Sequence, residues 1–307
     1  MPDDKSVGSE IALKTILAAL DLAGESDAVL ARAVQLAGEH GAWLVLLHVV
    51  ETEALAQVAK VSGQGESDLR DQLRGQAAAR IDASLLDLGR TRRTDVRVEF
   101  GSPHEVITRV ADEGSAYLVV LGPGKSPGKS LRAKVLGSTA DRVIRTSPAP
   151  VLVVKTQAAE PYRKVTVAID FSLQSASAAR AARKLAPDAR LRLIHVVGVP
   201  LTFEQAMLRV GRPQAEMERY RLTRVATARD ELSTFARDEV GTDNTTTKVL
   251  EGDPGPALVR LARRKTVDLL ALGPHGRGVV LQTLLGSVTQ RVLREASCDV
   301  LVARPRP

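Results

Sequence analysis

Four residues with the right chemistry to hold phosphate follow a buried strand near the end of the chain. The apolar run Val267–Leu272 leads directly into Gly273, and the spacing Gly-x-x-Gly-x9-Gly-Ser is completed by Gly276, Gly286 and Ser287. Glycines let the backbone approach an anion closely, and a helix that begins at the Gly-Ser pair presents unpaired N–H groups and a positive dipole end. The full spacing between a strand and a helix predicts a phosphate-binding loop.

The length and composition are those of a two-domain globular chain. Its 307 residues, 44% hydrophobic and 26% charged, allow two cores of ordinary size and differ from a disordered composition. No apolar run approaches the roughly 18–20 residues of a membrane helix. The polar N-terminus is unlike a signal peptide, and the single Cys298 suits a reducing compartment. We therefore expect a cytoplasmic protein that does not bind membranes.

The net charge of +7 raises the question of nucleic-acid binding. Basic residues such as Arg219–Arg221 and Arg263–Lys265 are scattered over predicted helices, where they alternate with acids. Aromatic residues make up only 3%, too few for a platform on which bases stack. A solvated basic surface is favoured, and no nucleic-acid partner is expected.

The chain repeats itself once, at an offset of about 150 residues. Several landmarks recur in one order, which indicates a tandem duplication with domains 1–157 and 158–307 and a boundary in Lys155–Arg163, where Pro161 interrupts the pattern. The paired landmarks are Asp21 and Asp170, His48 and His195, Gly101 and Gly252, Gly122 and Gly273, Gly137 and Gly286, and Val151 and Val300.

Each half alternates short apolar runs with helical patterns, which predicts a doubly wound α/β unit with a five-stranded parallel sheet. Helical spacing is seen at Val29–Ala37, Leu69–Leu86 and Val106–Val110, and the second half has a long helix near Glu216–Val240. Ligands bind such sheets at the carboxyl ends of the strands, where strand order reverses. Each first-strand aspartate therefore lies beside its glycine turn if strands one and four are neighbours.

The pattern resembles the universal stress protein family in its tandem form, over nearly the whole chain from Lys14 to Ala303. The second half matches the nucleotide signature of that family without a gap, and Asp170 and Val196 match its first-strand aspartate and its backbone contact after the second-strand histidine. The resemblance implies an adenine nucleotide α-hydrolase-like fold with strand order 3-2-1-4-5. It also implies antiparallel pairing of two last strands, in a homodimer or an intramolecular pseudo-dimer.

The resemblance further implies an ATP site in the second half, with Mg²⁺ as a companion of the phosphates. Arg277 is a phosphate candidate on its own chemistry, because a guanidinium fork suits oxyanions, with a solvated side chain as the equal alternative. The implied adenosine contacts are Asp170 and Val196, and the implied phosphate contacts are Gly273, Gly276, Gly286, Ser287 and Val288.

The first half departs from the signature, because 14 residues separate Gly122 from Gly137, whereas 12 separate Gly273 from Gly286. Aligned on the Gly-Ser pair, Pro127 takes the place of Gly276, and proline has no N–H to offer. Whether this altered motif binds nucleotide is left open. Its candidate residues are Asp21, Val49, Gly122, Gly137 and Ser138, with Lys125 and Lys129 available to phosphate.

The same loop, Pro123–Ser130, nearly spells a P-loop. Pro123 stands where the first glycine of that motif belongs, and the counterpart in the second half lacks the Lys-Ser ending. A true P-loop is therefore disfavoured.

For most of the remaining polar residues that could take part in chemistry, a structural role is considered beside a functional one. His48 and His195 lie in apolar strands and are interpreted as hydrogen-bonded core imidazoles. His275 either contacts phosphate or shapes its loop, and Asp170 is favoured as a ligand contact over a helix cap. Ser287 can cap its helix and still bind phosphate, and Cys298 is expected to be buried.

Three hypotheses for function follow. The favoured one is a nucleotide-dependent sensor or regulator with little or no ATP hydrolysis, because no nucleophile with a base, metal cluster or carboxylate pair is recognisable. The alternatives are a nucleotide-free scaffold or dimerisation module and an adenylate-forming enzyme. The segment Pro200–Arg212 either covers a site or forms a dimer face.

Overall fold

The computed structural model describes residues 13–22, 26–62, 65–88, 93–124, 136–157, 159–198, 214–276 and 284–305. They form two compact units. The first takes the described residues up to Pro161 together with Asp299–Val302, and the second takes Tyr162–Cys298 with Ala303–Pro305. The exact boundaries 1–157 and 158–307 stay a prediction.

The sheet of the first unit has the strand order 3-2-1-4-5. Its strands are parallel, and β1 pairs with both β2 and β4. The neighbourhood of β1 and β4 that the sequence analysis required is thereby confirmed. The strands are β1 (Thr15–Leu20), β2 (Trp43–Val50), β3 (Thr94–Phe100), β4 (Leu118–Leu121) and β5 (Val151–Val153).

Five described helices accompany this sheet, and three of them lie where the apolar spacing predicted. In the third, Leu69, Ile81 and Leu85 are buried, whereas Leu86 is 82% exposed because it falls off the apolar face. The helices are α1 (Ser26–His40), α2 (Thr52–Ser62), α3 (Glu66–Leu88), α4 (Pro103–Glu113) and α5 (Ser138–Thr146).

The second unit repeats the arrangement with the neighbouring order β9-β6-β7-β8. Strand β9 is buried at every position, as a parallel strand covered on both faces must be. The elements are β6 (Lys164–Ile169), α6 (Leu173–Leu185), β7 (Arg190–Val197), α7 (Gln214–Glu239), β8 (Thr245–Glu251), α8 (Pro254–Ala262), β9 (Leu269–Leu272) and α9 (Ser287–Glu295).

The last strand, β10 (Asp299–Val302), runs antiparallel to β5 with Leu301 opposite Leu152. The predicted pairing of the two last strands is confirmed. Beyond these strands, Val154 N donates to Leu121 O at 2.9 Å, and Ala303 N donates to Leu272 O at 3.2 Å. In each half, the residue after the last strand therefore makes the same backbone hydrogen bond to the end of the fourth strand.

A buried ion pair fastens β10 to the first unit. The side chains of Asp299 and Arg32 are 0% and 4% exposed, and Oδ2 of Asp299 lies 3.2 Å from Nε of Arg32. The other carboxylate oxygen accepts hydrogen bonds from the backbone N–H groups of Lys155 and Thr156 and from the Thr156 hydroxyl. A buried charge needs such partners, because its desolvation is costly.

The single cysteine, Cys298, is buried, as expected. None of the helices among the described residues is long and apolar enough to cross a membrane.

Candidate functional site

A cavity of about 350 Å³ opens at the carboxyl ends of β6, β7 and β9 in the second unit. It lies where a parallel sheet places ligands, because β6 and β9 are the neighbours between which strand order reverses. The structure brings together here seven of the residues predicted from sequence, and Arg277 lies outside the described residues. The seven are Asp170, Val196, Gly273, Gly276, Gly286, Ser287 and Val288.

The two ends of the glycine loop are tied together by hydrogen bonds. Gly286 N donates to Pro274 O at 2.8 Å, and the Thr289 hydroxyl donates to Gly273 O at 2.8 Å. A Cβ atom on Gly273 would lie 2.7 Å from Cβ of Gln174, closer than non-bonded carbons approach. This glycine therefore allows close packing against α6 in addition to any approach of an anion.

The two carboxylate oxygens of Asp170 have different neighbours. Oδ1 accepts hydrogen bonds from N and Oγ of Ser172, at 3.1 and 2.5 Å, and Ser172 in turn caps α6 by accepting from Ser175 N. Oδ2 faces the loop, where a Cβ on Gly276 would lie 2.9 Å away. Asp170 therefore holds the capping residue Ser172 and does not itself cap α6, and ligand contact by Oδ2 stays a prediction.

The residue after each first-strand aspartate has an unusual backbone conformation. Leu22 and Phe171 have φ angles of 53° and 62°. Non-glycine residues with positive φ are uncommon and strained, and such residues cluster at functional sites. The repetition of this strain in both units shows that the turn after each aspartate is a shared feature of the duplicated fold.

The strand histidines are hydrogen-bonded within the sheet. His195 Nδ1 donates to Ile169 O at 2.8 Å, and His48 Nδ1 donates to Leu20 O at 2.8 Å. A carbonyl oxygen only accepts, so the Nδ1 atom carries the hydrogen in both rings. These bonds confirm the hydrogen-bonded imidazoles, and they hold the strand residue that directly precedes each aspartate.

His275 in the loop is different. It is 8% exposed, lines the cavity, and its Nε2 atom lies 3.2 Å from Nε2 of Gln174. Its Nδ1 atom is buried and has no hydrogen-bond partner among the described residues.

The first unit has a corresponding cavity of about 400 Å³. All of the less certain candidates predicted for this half line it, together with His48 and Glu51. These candidates are Asp21, Val49, Gly122, Gly137 and Ser138.

The two glycine loops begin with the same hydrogen bond in both units. Gly137 N donates to Pro123 O at 2.7 Å, which duplicates the bond from Gly286 N to Pro274 O. Pro123 therefore corresponds to Pro274, and Gly124 corresponds to His275. The correspondence of Pro127 with Gly276 stays a prediction, because the extra residues of the first loop follow Gly124. Lys125, Pro127 and Lys129 themselves lie outside the described residues.

The family model described as the Universal stress protein family matches residues 12–155 and again residues 161–304. The chain belongs to the universal stress protein family. It carries two tandem domains of that family, as the internal repeat predicted. A universal stress protein of Mycolicibacterium smegmatis is 28% identical over 296 residues, which cover 95% of this chain and 97% of that protein.

Solved structures share the fold over most of the chain. A universal stress protein from Archaeoglobus fulgidus has a TM-score of 0.62 at 19% identity and covers 94% of this chain and 98% of its own. A putative universal stress protein from Pseudomonas aeruginosa has a TM-score of 0.61 at 21% identity, with 96% and 95% covered. At these identities the likeness concerns the fold alone.

The two domains of this universal stress protein differ in the charge of their cavities. Glu51 lines the first cavity directly after the His-Val-Val strand. The same position in the second repeat is Gly198. The first cavity therefore has two carboxylates, Glu51 and Asp21, and the second domain has glycine in place of Glu51. Sequence reasoning missed Glu51, although comparing the repeats one residue past each strand would have found it.

Within the described ranges, no group of three or more His, Cys, Asp or Glu residues is arranged to hold a metal ion.

Proposed function

We propose that this universal stress protein binds ATP, chiefly in its second domain, and acts in the cytoplasm as a nucleotide-dependent sensor or regulator. The observation that carries the proposal is the convergence of Asp170, the glycine loop and the first turn of α9 on one cavity of about 350 Å³. A cavity of this size lies within the usual range for small-molecule sites, roughly 300–1,000 Å³.

The phosphates fit the start of α9. This helix begins at Ser287, and its N-cap, Gly286, has no side chain with which to cap the free N–H groups. Elsewhere in the same domain, the side chains of Ser172 and Asp253 cap α6 and α8. Of these three helices, α9 is the one whose cap residue has no side chain, and its first turn lines the cavity, so its N–H groups and dipole favour an anion there.

The nucleoside fits the other half of the cavity. Ile169, Ile194, Leu258 and Leu272 provide apolar walls suited to a base. The Asp170 carboxylate is an acceptor suited to ribose hydroxyls, and the backbone after His195 supplies the contact assigned to Val196. These features support a nucleotide with its sugar at Asp170 and its phosphates at α9.

Binding, rather than fast turnover, is the function that we propose. His195 Nδ1 is committed to Ile169 O, and one oxygen of Asp170 is committed to Ser172. We expect ATP to order the glycine loop and thereby change a surface that partners recognise, with little or no hydrolysis. Mg²⁺ would accompany the phosphates.

A nucleotide-free scaffold is the second candidate. The observation that favours it is the antiparallel pairing of β5 with β10, which the buried Asp299–Arg32 pair fastens. Pairing of this kind would suit a scaffold or dimerisation module for partner proteins, whether within one chain or in a homodimer.

Calorimetric titration of the full chain with ATP separates the two candidates. We expect saturable binding of ATP, and nucleotide released from the purified protein that absorbs at 260 nm and is identified by mass spectrometry. Protein that is nucleotide-free by mass spectrometry and gives no heat with ATP would contradict the sensor and leave the scaffold.

A further inference from the structure

His275 is the buried polar side chain in the second cavity whose hydrogen bonding is incomplete. It is 8% exposed, and its Nδ1 atom has no hydrogen-bond partner among the described residues. Its backbone adjoins the start of α9, because a Cβ on Gly286 would lie 3.2 Å from Cα of His275. The same residue lines the cavity. A buried polar atom without a partner is costly, which points to a group that is supplied from outside the protein.

Gln174 determines what that group must be. Its amide nitrogen, Nε2, lies 3.2 Å from Nε2 of His275. An amide nitrogen donates and does not accept, so His275 Nε2 must be the acceptor. A neutral imidazole that accepts at Nε2 carries its hydrogen on Nδ1. The unpartnered atom is therefore a donor, and its missing partner is an acceptor.

We infer that His275 donates a hydrogen bond from Nδ1 to a phosphoryl oxygen of the ligand in the second cavity, and that Gln174 holds the imidazole in the tautomer that makes this possible. The inference rests on the proposed function. A phosphoryl oxygen is the acceptor that fits, because His275 adjoins the uncapped helix start where an anion is favoured. His275 is then a specificity residue, and Gln174 is a positioning residue.

The two other histidines described at the sites show why His275 stands apart. In His48 and His195 the Nδ1 hydrogen is bound to a strand carbonyl. In the first domain, the position of His275 is taken by Gly124, which has no side chain to donate. The first cavity lacks this donor at the corresponding position, so the repeats are expected to treat phosphate differently.

A matched pair of variants tests the donor. His275→Asn keeps an N–H group about where Nδ1 lies, and His275→Leu has a similar shape without a donor. Isothermal titrations of the full chain with ATP and with adenosine are compared, after thermal unfolding has shown that both variants are folded. We expect His275→Leu to weaken ATP binding about 10-fold, the loss typical of one hydrogen bond to a charged group. Adenosine binding should be unchanged, and His275→Asn should bind ATP like the wild type.

The tautomer is tested separately by nitrogen NMR of the imidazoles in the full chain. We expect His275 to carry its hydrogen on Nδ1 without ligand, and Gln174→Leu to reduce the population of that tautomer. A ring protonated at Nε2 alone in the wild type would overturn the inference, whatever the titrations show.

The titrations distinguish failure of this inference from failure of the proposed function. If the wild type binds ATP and His275→Leu binds it equally well, the inference is wrong and the proposed function stands. Equal losses of ATP and adenosine would also overturn it, because the side chain would then support the cavity as a whole. If the wild type binds neither ligand, the proposed function fails and the inference fails with it.

Discussion

A Cβ atom on Gly276 would lie 2.9 Å from Oδ2 of Asp170, so the loop of the second domain rests on the aspartate that ends its first strand. More than 100 residues of chain separate the two. The contact links the part of the cavity assigned to the sugar with the part assigned to the phosphates. A side chain at Gly276 must displace either the Asp170 carboxylate or the loop.

The first prediction concerns this contact. Gly276→Ala should weaken ATP binding about 10-fold or more, because the added methyl pushes the carboxylate away from Ser172 or lifts the loop. Titration calorimetry measures the effect. The matched control is Gly75→Ala in α3, where an added Cβ meets nothing within 4 Å. That change should stabilise the helix by about 0.5–1 kcal/mol and leave ATP binding unaltered. Equal ATP affinities in both variants would contradict the role of the contact.

The second prediction compares the repeats. Asp170→Ala should weaken ATP binding more than Asp21→Ala, because the second domain carries the complete signature and the first cavity has Glu51 as an extra negative charge. Equilibrium binding of ATP to the two full-length variants measures the difference. The reverse order would show that the first domain is the principal site.

The third prediction concerns Glu51 itself. Glu51→Gln, made in the Asp170→Ala background, should improve nucleotide binding by the first domain, because it neutralises one of the two carboxylates that line the first cavity and repel an anionic ligand. The gain should shrink when ionic strength is raised, since the pair is partly exposed to solvent and salt screens it. A gain that is independent of salt, or a loss of affinity, would show that Glu51 does not act through its charge.

The fourth prediction concerns stability. Asp299→Ala should destabilise the first domain by about 3–5 kcal/mol, because Arg32 is left buried without its counter-charge and three hydrogen bonds to Lys155 and Thr156 are lost. Chemical denaturation measures the change. Glu66→Ala provides the comparison, because its ion pair with Arg70 is solvent-exposed and should cost less than about 1 kcal/mol. Similar losses in the two variants would contradict the importance of the buried pair.

The fold was predictable from sequence because its signals are local. Strands such as β4 and β9 are apolar at every position, and helices such as α4 repeat their apolar residues with helical spacing. The internal repeat shows the same pattern of strands and helices a second time, which strengthens each prediction. The resemblance supplied the strand order, which periodicity alone does not contain.

Much of the candidate site was also predictable. Asp170 and Gly273 each follow a parallel strand, and the carboxyl ends of parallel strands meet at one edge of the sheet. Their convergence on one cavity needed only the neighbourhood of β6 and β9. The register of the first loop was not predictable, because the length difference of two residues could be placed anywhere between Gly122 and Gly137.

By itself, the sequence determined that this protein has two copies of a universal stress domain, each with an aspartate and a glycine turn at one sheet edge. Periodicity, spacing and repetition can be read from the order of the residues alone. Only the tertiary structure decided that Gln174 meets His275 across 101 residues and that Asp299 meets Arg32 inside the first unit. Such pairs depend on distances of a few ångströms between packed elements, and no local pattern records them.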